Sequence, residues 1–200
     1  MLKWAAGKRL AYRELDDEHL GRVTESTHHE GVAMTVRPLR CMEFQPASVA
    51  GKGLLVAMDQ VDNPHNIGAI VRTCAFFGVG GVLMGGVPSG SRASSALMRM
   101  AEGGAEMLDL YGVASLQAPL TALREKGVPV FGFETDGEDI SKQVNLPRTG
   151  VLVFGNEQAG ISSAVRKLCS RMLAIRGQGG VGSLNVSVTV GIALSQWMRS

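Results

Sequence analysis

The chain has 200 residues, 45% hydrophobic, 19% charged and 5% aromatic, with a formal net charge of +2. That length suits one domain with a fragment beside it, or two small ones, and the charge is too small to mark a nucleic-acid binder by itself. Cys41, Cys74 and Cys169 are far apart and fit no CxxC or Cys/His ligand spacing, which argues against a disulfide framework and a zinc site.

At the amino terminus, "MLKWAAGKRLAYRELDDEHL" interrupts every apolar stretch with charge and has no signal-peptide pattern. No later run reaches the ~18 apolar residues of a membrane span. With its unpaired cysteines, the chain reads as cytoplasmic. Residues 1–45 balance seven basic against seven acidic side chains. They predict a short strand ending at Tyr12, a helix over Asp16–Thr24 and a strand around Gly31–Val36, too little to bury a core alone. "FQPASVAGKG" reads as a linker.

From Gly53 onward, strand and helix signals alternate in the α/β manner. Strands are predicted at Leu54–Met58, Gly81–Met84, Val128–Phe133, Gly150–Phe154 and Met172–Ile175. Helices are predicted at Ile67–Phe77, Ser94–Gly103, Pro119–Lys126, Ser162–Leu168 and Val186–Met198. The strands are short continuous apolar runs, the mark of a parallel sheet covered on both faces.

Three stretches carry chemistry. In "DQVDNPHNIGAIVRTCAFFG", Asn63-Pro64 signals a turn, Asn66 can cap the helix and Gly68 allows close approach to its first turn. Arg72, on the same helix face, suits a phosphate or other anion. The same residues also read as an ordinary capped helix with a surface arginine. "VLVFGNEQAGIS" runs from an apolar strand through Gly-Asn-Glu to a glycine and a helix, the layout of a small-molecule site at a strand's carboxyl end. Glu157 reads equally as an acid favoured at a helix entry. "IRGQGGVGSLNVSVTVGIALSQW" is a flexible, close-approach glycine loop, then Ser183 or Asn185 as a cap, then a helix despite its β-branched residues. A terminal core helix with a glycine-rich lead-in is the plainer reading. His28, His29 and His65 have no metal-site spacing. "GQGGVG" fits a dinucleotide fingerprint by letters, but no second strand or acidic residue follows it.

Together and in this order, "DNPHNIGAIVRTCAFFG", "FGNEQAGIS" and "SLNVSVTVGIAL" resemble the three motifs of the SpoU/TrmH family of RNA ribose 2′-O-methyltransferases, within the SPOUT superfamily. The resemblance covers roughly residues 50–200. Residues 1–40 look like the final part of an L30e-like RNA-binding domain, truncated here. The resemblance implies a parallel α/β sheet with flanking helices and a carboxyl-terminal deep trefoil knot. It implies two domains: residues 1–45 as the L30e-like part with its linker, and 46–200 as the methyltransferase.

The resemblance also implies S-adenosylmethionine as cofactor, transfer or ribosomal RNA as substrate and a homodimer with the active site near its interface; run lengths and residue spacing predict no membrane and no metal. Gly155, Ile175 and Leu184 would contact the cofactor, with Asn156, Ser183 and Asn185 close by and Glu134–Gly137, including Thr135, as the remaining wall. Arg72 matches the family's catalytic arginine. Asn66 and Glu157 would help to fix that site, with Ser187 beside them and Glu157 orienting Arg72 or the neighbouring loop. Arg176 stands where many relatives carry proline. A non-catalytic RNA-binding or ribosome-associated module of the same fold is the alternative.

Overall fold

The computed structural model describes residues 2–47, 49, 51–142 and 146–199. They fall into two compact units, Met1–Arg37 and Pro38–Ser200. In the first, the regular elements among the described residues are helices α1 (Leu2–Gly7) and α2 (Asp17–Thr24). α2 forms where the sequence predicts it. Asp16 caps it by accepting from the His19 amide at 2.8 Å, and Asp17 and Glu18 occupy its positive end.

The two strands predicted in this unit are absent. The run before Tyr12 opens as α1. Residues 31–36 have no partner strand in the unit, and Val32, Met34 and Val36 stay exposed. A strand without a neighbour leaves its backbone groups unpaired.

The second unit runs through β1 (Met42–Glu43), β2 (Leu54–Asp59), α3 (Pro64–Phe76), β3 (Gly81–Gly85), α4 (Ser95–Ala101), β4 (Leu110–Val113), α5 (Gln117–Glu125), β5 (Val130–Asp139), β6 (Gly150–Gly155), α6 (Ser163–Arg166), β7 (Arg171–Ala174) and α7 (Val186–Trp197). The strands form one seven-stranded sheet in the order β1-β4-β3-β2-β6-β5-β7, with every ladder parallel. Alternation along each strand explains the continuous apolar runs. Val56 and Met58 face the core with Ile70, Val71 and Val190, whereas Leu55 and Ala57 face the core with Leu120, Leu123 and Val165. Both sheet faces are therefore covered.

Residues 38–45 belong to this unit, although the sequence grouped them with the amino-terminal stretch. Met42 and Glu43 pair with Tyr111 and Gly112, and Cys41 is buried. The predicted linker is also packed in part. Phe44 meets Tyr111 edge-on at 5.6 Å and Val49 is buried, while Ser48 and Ala50 lie outside the described residues.

α3 buries Ile67, Ile70, Val71 and Cys74, an i, i+3, i+4, i+7 stripe. Gly68 serves helix packing here. A Cβ at that position would lie 2.5 Å from Met100 Cβ and 2.7 Å from the Leu97 carbonyl oxygen, so glycine lets α4 press against α3. That close approach is to α4, not to a ligand.

Candidate active site

Strand order reverses between β2 and β6: β3 and β4 extend one way from β2, and β6 and β5 the other. Open parallel sheets take ligands at the carboxyl ends of the strands around such a reversal. Here the loops leaving β2, β5, β6 and β7 meet at that end.

The β2 loop enters α3 through Asn63, whose side chain accepts from the His65 amide at 3.0 Å, with Pro64 in the first turn. The cap is therefore Asn63 and not Asn66. The helix begins one turn before the apolar stripe, since proline in the first turn needs no donor there. Asn66 is left in the first turn with a free side chain. Its Nδ2 donates to the Glu157 carboxylate, and its Oδ1 accepts from Asn185 Nδ2 at 3.1 Å. Asn185 in turn caps α7, accepting from the Ser187 amide at 2.8 Å and the Ser187 hydroxyl at 2.6 Å. One ladder, Glu157–Asn66–Asn185–Ser187, thus ties together residues from all three motifs.

The β6 loop is a tight turn. A Cβ on Gly155 would lie 2.2 Å from the Gly160 carbonyl carbon, and Gly160 has φ +69, so both positions require glycine. Asn156 Oδ1 accepts from the Gln158 and Ala159 amides at 2.9 and 3.1 Å, and its Nδ2 donates to the Gln60 carbonyl at 3.1 Å. The side chain of Asn156 is thus committed to holding the turn. Asp59, buried at the end of β2, accepts from the Ser162 amide at 2.7 Å. Sequence reasoning missed this anchor, although an acid closing an apolar strand was a visible signal.

Glu134–Gly137 form a bulge in β5: Phe133 and Glu138 both stand in register with Leu173 of β7. Two arginines hold the bulge. Arg166 pairs with Glu134 and with Asp136, the latter at 2.8 Å. Arg176 donates to the Thr135 carbonyl at 2.9 Å and the Gly137 carbonyl at 2.6 Å. Glu134 also accepts from the Ile161 amide at 3.0 Å, joining the bulge to the β6 turn. The clamping roles of Arg166 and Arg176 carried no signal in the sequence, because they depend on a bulge that only the β7 pairing produces.

These loops enclose a cavity of about 1000 Å³, at the upper end of typical small-molecule sites. Gly155, Asn156, Ile175, Ser183, Leu184 and Thr135, six of the predicted cofactor residues, line it, and so does Glu157. Asn185 does not; it serves the ladder and the α7 cap. Gly177, Gly179 and Gly182 line the cavity too, but a Cβ on any of them would meet no atom within 4 Å. They leave open space and are not close-approach glycines.

Arg72 is exposed on α3 and does not line the cavity. Its Nη1 lies 2.7 Å from Glu102 Oε1, a partner that the sequence did not suggest. Glu157 contacts Asn66, in the first turn of α3, and not Arg72. Burial pushes the Cys169 thiol up to about 11 and raises Cys74 further, so neither is a thiolate nucleophile near neutral pH. Among the described residues no group of three or more His, Cys, Asp or Glu is placed to hold a metal ion, and no helix is long and apolar enough to cross a membrane.

The model of the SpoU rRNA Methylase family matches residues 53–195. The chain is 32% identical over 200 residues to an Escherichia coli O157:H7 protein described as an uncharacterized tRNA/rRNA methyltransferase, YfiF, covering 99% of this chain and 57% of that one. It is 32% identical over 189 residues to the 23S rRNA (guanosine-2′-O-)-methyltransferase RlmB of Nitrosomonas europaea, covering 92% and 72%. Among solved structures, the A. aeolicus TrmH/SpoU tRNA modifying enzyme superposes with a TM-score of 0.65 at 27% identity, over 74% of this chain and 75% of that chain. The chain spans little more than half the length of the first of these relatives.

Proposed function

Because the chain belongs to the SpoU rRNA methylase family, we propose that it transfers a methyl group from S-adenosylmethionine to a ribose 2′-hydroxyl of transfer or ribosomal RNA. The observation that carries this reading is the cavity at the carboxyl ends of β5, β6 and β7, lined by residues of the second and third motifs. Its walls suit the cofactor. Ile175, Leu184 and Val186 offer apolar surface for an adenine ring, and Glu157, the lining carboxylate not paired with an arginine, suits a cationic ligand. When bound, the cofactor supplies an electrophilic sulfonium methyl group.

The protein's own part is to place and activate the oxygen. A ribose hydroxyl is a poor nucleophile until its proton leaves. Arg72 binds the adjacent phosphate and donates to the 2′-oxygen as negative charge develops there. A guanidinium loses its own proton too reluctantly to be an easy base, so electrostatic stabilisation is the role assigned to it. Asn66 and Glu157 act indirectly, by fixing the first turn of α3 against the cavity wall.

On the same reading the chain works as a cytoplasmic homodimer. Phe76, at the end of α3, and Met107 are 83% and 81% exposed, and Val188 is half-exposed on α7, which packs against α3. An interface there would bring an Arg72 to a cavity that it does not line within its own chain. Residues 1–37 serve as part of an L30e-like RNA-binding domain. The family resemblance carries the further proposal of a carboxyl-terminal trefoil knot; in its support, the chain pairs at the sheet edge as β7 and then packs α7 on α3 and β6.

Calorimetric titration with S-adenosylmethionine and S-adenosylhomocysteine tests this reading. Micromolar binding is expected, abolished in Leu184→Arg, which fills the cavity with a cation. Transfer of a radiolabelled methyl group to undermethylated bulk RNA should disappear in Arg72→Ala. A folded protein that binds neither compound would overturn the assignment and favour the non-catalytic RNA-binding module.

A further inference from the structure

Arg72 and Glu102 meet at the end of α4, where the backbone is unusual. Glu102 occupies the C-cap position in the left-handed region, at φ +43 and ψ +52, a conformation few non-glycine residues adopt. Gly103 follows at φ +85. The next residue, Gly104, lies against α3 so closely that a Cβ there would sit 3.0 Å from Arg72 Cα and 3.2 Å from Ala75 Cβ. The Glu-Gly-Gly turn is thus folded tightly onto the stretch of α3 that carries Arg72. It delivers the Glu102 carboxylate to Arg72 Nη1 at 2.7 Å.

We propose that Glu102 is a positioning residue for Arg72. This rests on the methyltransferase reading given above. A long arginine side chain on an exposed helix face samples many rotamers, and each loses its freedom when the guanidinium must meet a phosphate and an oxygen together. Glu102 engages Nη1 alone. The planar guanidinium has five donors in a fixed fork, so Nη2 and Nε remain for the RNA phosphate and the 2′-oxygen. The carboxylate thereby selects the side-chain direction before RNA arrives. The strained backbone of Glu102 fits this role, since such conformations persist only where the surrounding structure enforces them.

Glu102→Gln is the informative variant, because it keeps the side-chain length and the backbone requirement and removes the charge. Its melting temperature and S-adenosylmethionine affinity should match those of the wild type. Methyl transfer to undermethylated bulk RNA should fall about tenfold, chiefly in kcat, with KM for RNA changed less than twofold. Glu102→Asp should recover part of the loss, whereas a purely structural role would lower the melting temperature and cofactor affinity together. Nitrogen-15 spectra of the guanidinium groups, with Arg72 assigned through Arg72→Lys, provide a readout without activity: the Arg72 side-chain signals should sharpen toward free rotation in Glu102→Gln. A Glu102→Gln protein as fast as the wild type, or faster with tighter RNA binding, would overturn the positioning role, the latter showing that Glu102 competes with phosphate instead. A wild-type protein that binds no S-adenosylmethionine and methylates no RNA would overturn the functional reading beneath it.

Discussion

Asn66 is the side chain on which the three motif loops converge. It spends its donor on Glu157 and its acceptor on Asn185, so no other side-chain type of its size satisfies both neighbours. Asn66→Ala removes two hydrogen bonds worth about 1 kcal/mol each. The expected result is a stability loss of about 2 kcal/mol by denaturant titration and a fall in methyl transfer of about 100-fold. Asn66→Asp is nearly isosteric but sets a second carboxylate against Glu157, and should lower the rate at least as far. Glu157→Gln keeps an acceptor for Asn66 and should have the mildest effect of the three. Equal turnover in all three variants would show that the ladder does not support catalysis. The sequence singled out Asn66 and Glu157 by motif position alone. Their contact was not legible there, because they stand 91 residues apart and only the pairing of β2 with β6 brings them together.

At the level of elements, the apolar runs at 54–58, 81–84 and 150–154 formed strands at almost the predicted positions, because burial on both faces leaves a continuous signal. β4 was missed: Leu110–Val113 is four residues with a glycine inside, shorter than a propensity signal can mark, and its neighbours β1 and β3 supply the pairing. α7 forms as a helix in spite of its valines and threonine, since the Asn185 cap and the packing of Val190, Ala193 and Leu194 outweigh propensity. The bulged geometry of β5 was invisible, although the resemblance had placed residues 134–137 in the cavity wall. Its two-carbonyl clamp gives a direct expectation. Arg176→Ala should weaken S-adenosylmethionine binding about tenfold and raise hydrogen exchange at residues 135–137. Arg176→Lys should restore little, since a point charge cannot fork to both carbonyls. Unchanged exchange in Arg176→Ala would mean that Arg166 alone holds the bulge.

For the molecule as a whole, the exposed Phe76 and Met107 predict association. Phe76→Asp should convert a dimeric sedimentation coefficient to a monomeric one and lower methyl transfer sharply, while the secondary structure measured by circular dichroism stays intact. A wild-type protein that sediments as a monomer at micromolar concentration would end the dimer proposal. The ladder from Glu157 through Asn66 to Asn185 has one more consequence, for the chain during its synthesis. Asn66 and Asn185 lie 119 positions apart, and the ribosome adds about 5–20 residues per second. The first motif therefore waits several seconds without the partners that order it. Until α7 has docked, the nascent chain carries Arg72 and part of the cavity wall but not the complete cavity lining. If the chain methylates RNA as proposed, a product that ends before α7 should bind no S-adenosylmethionine and transfer no methyl group.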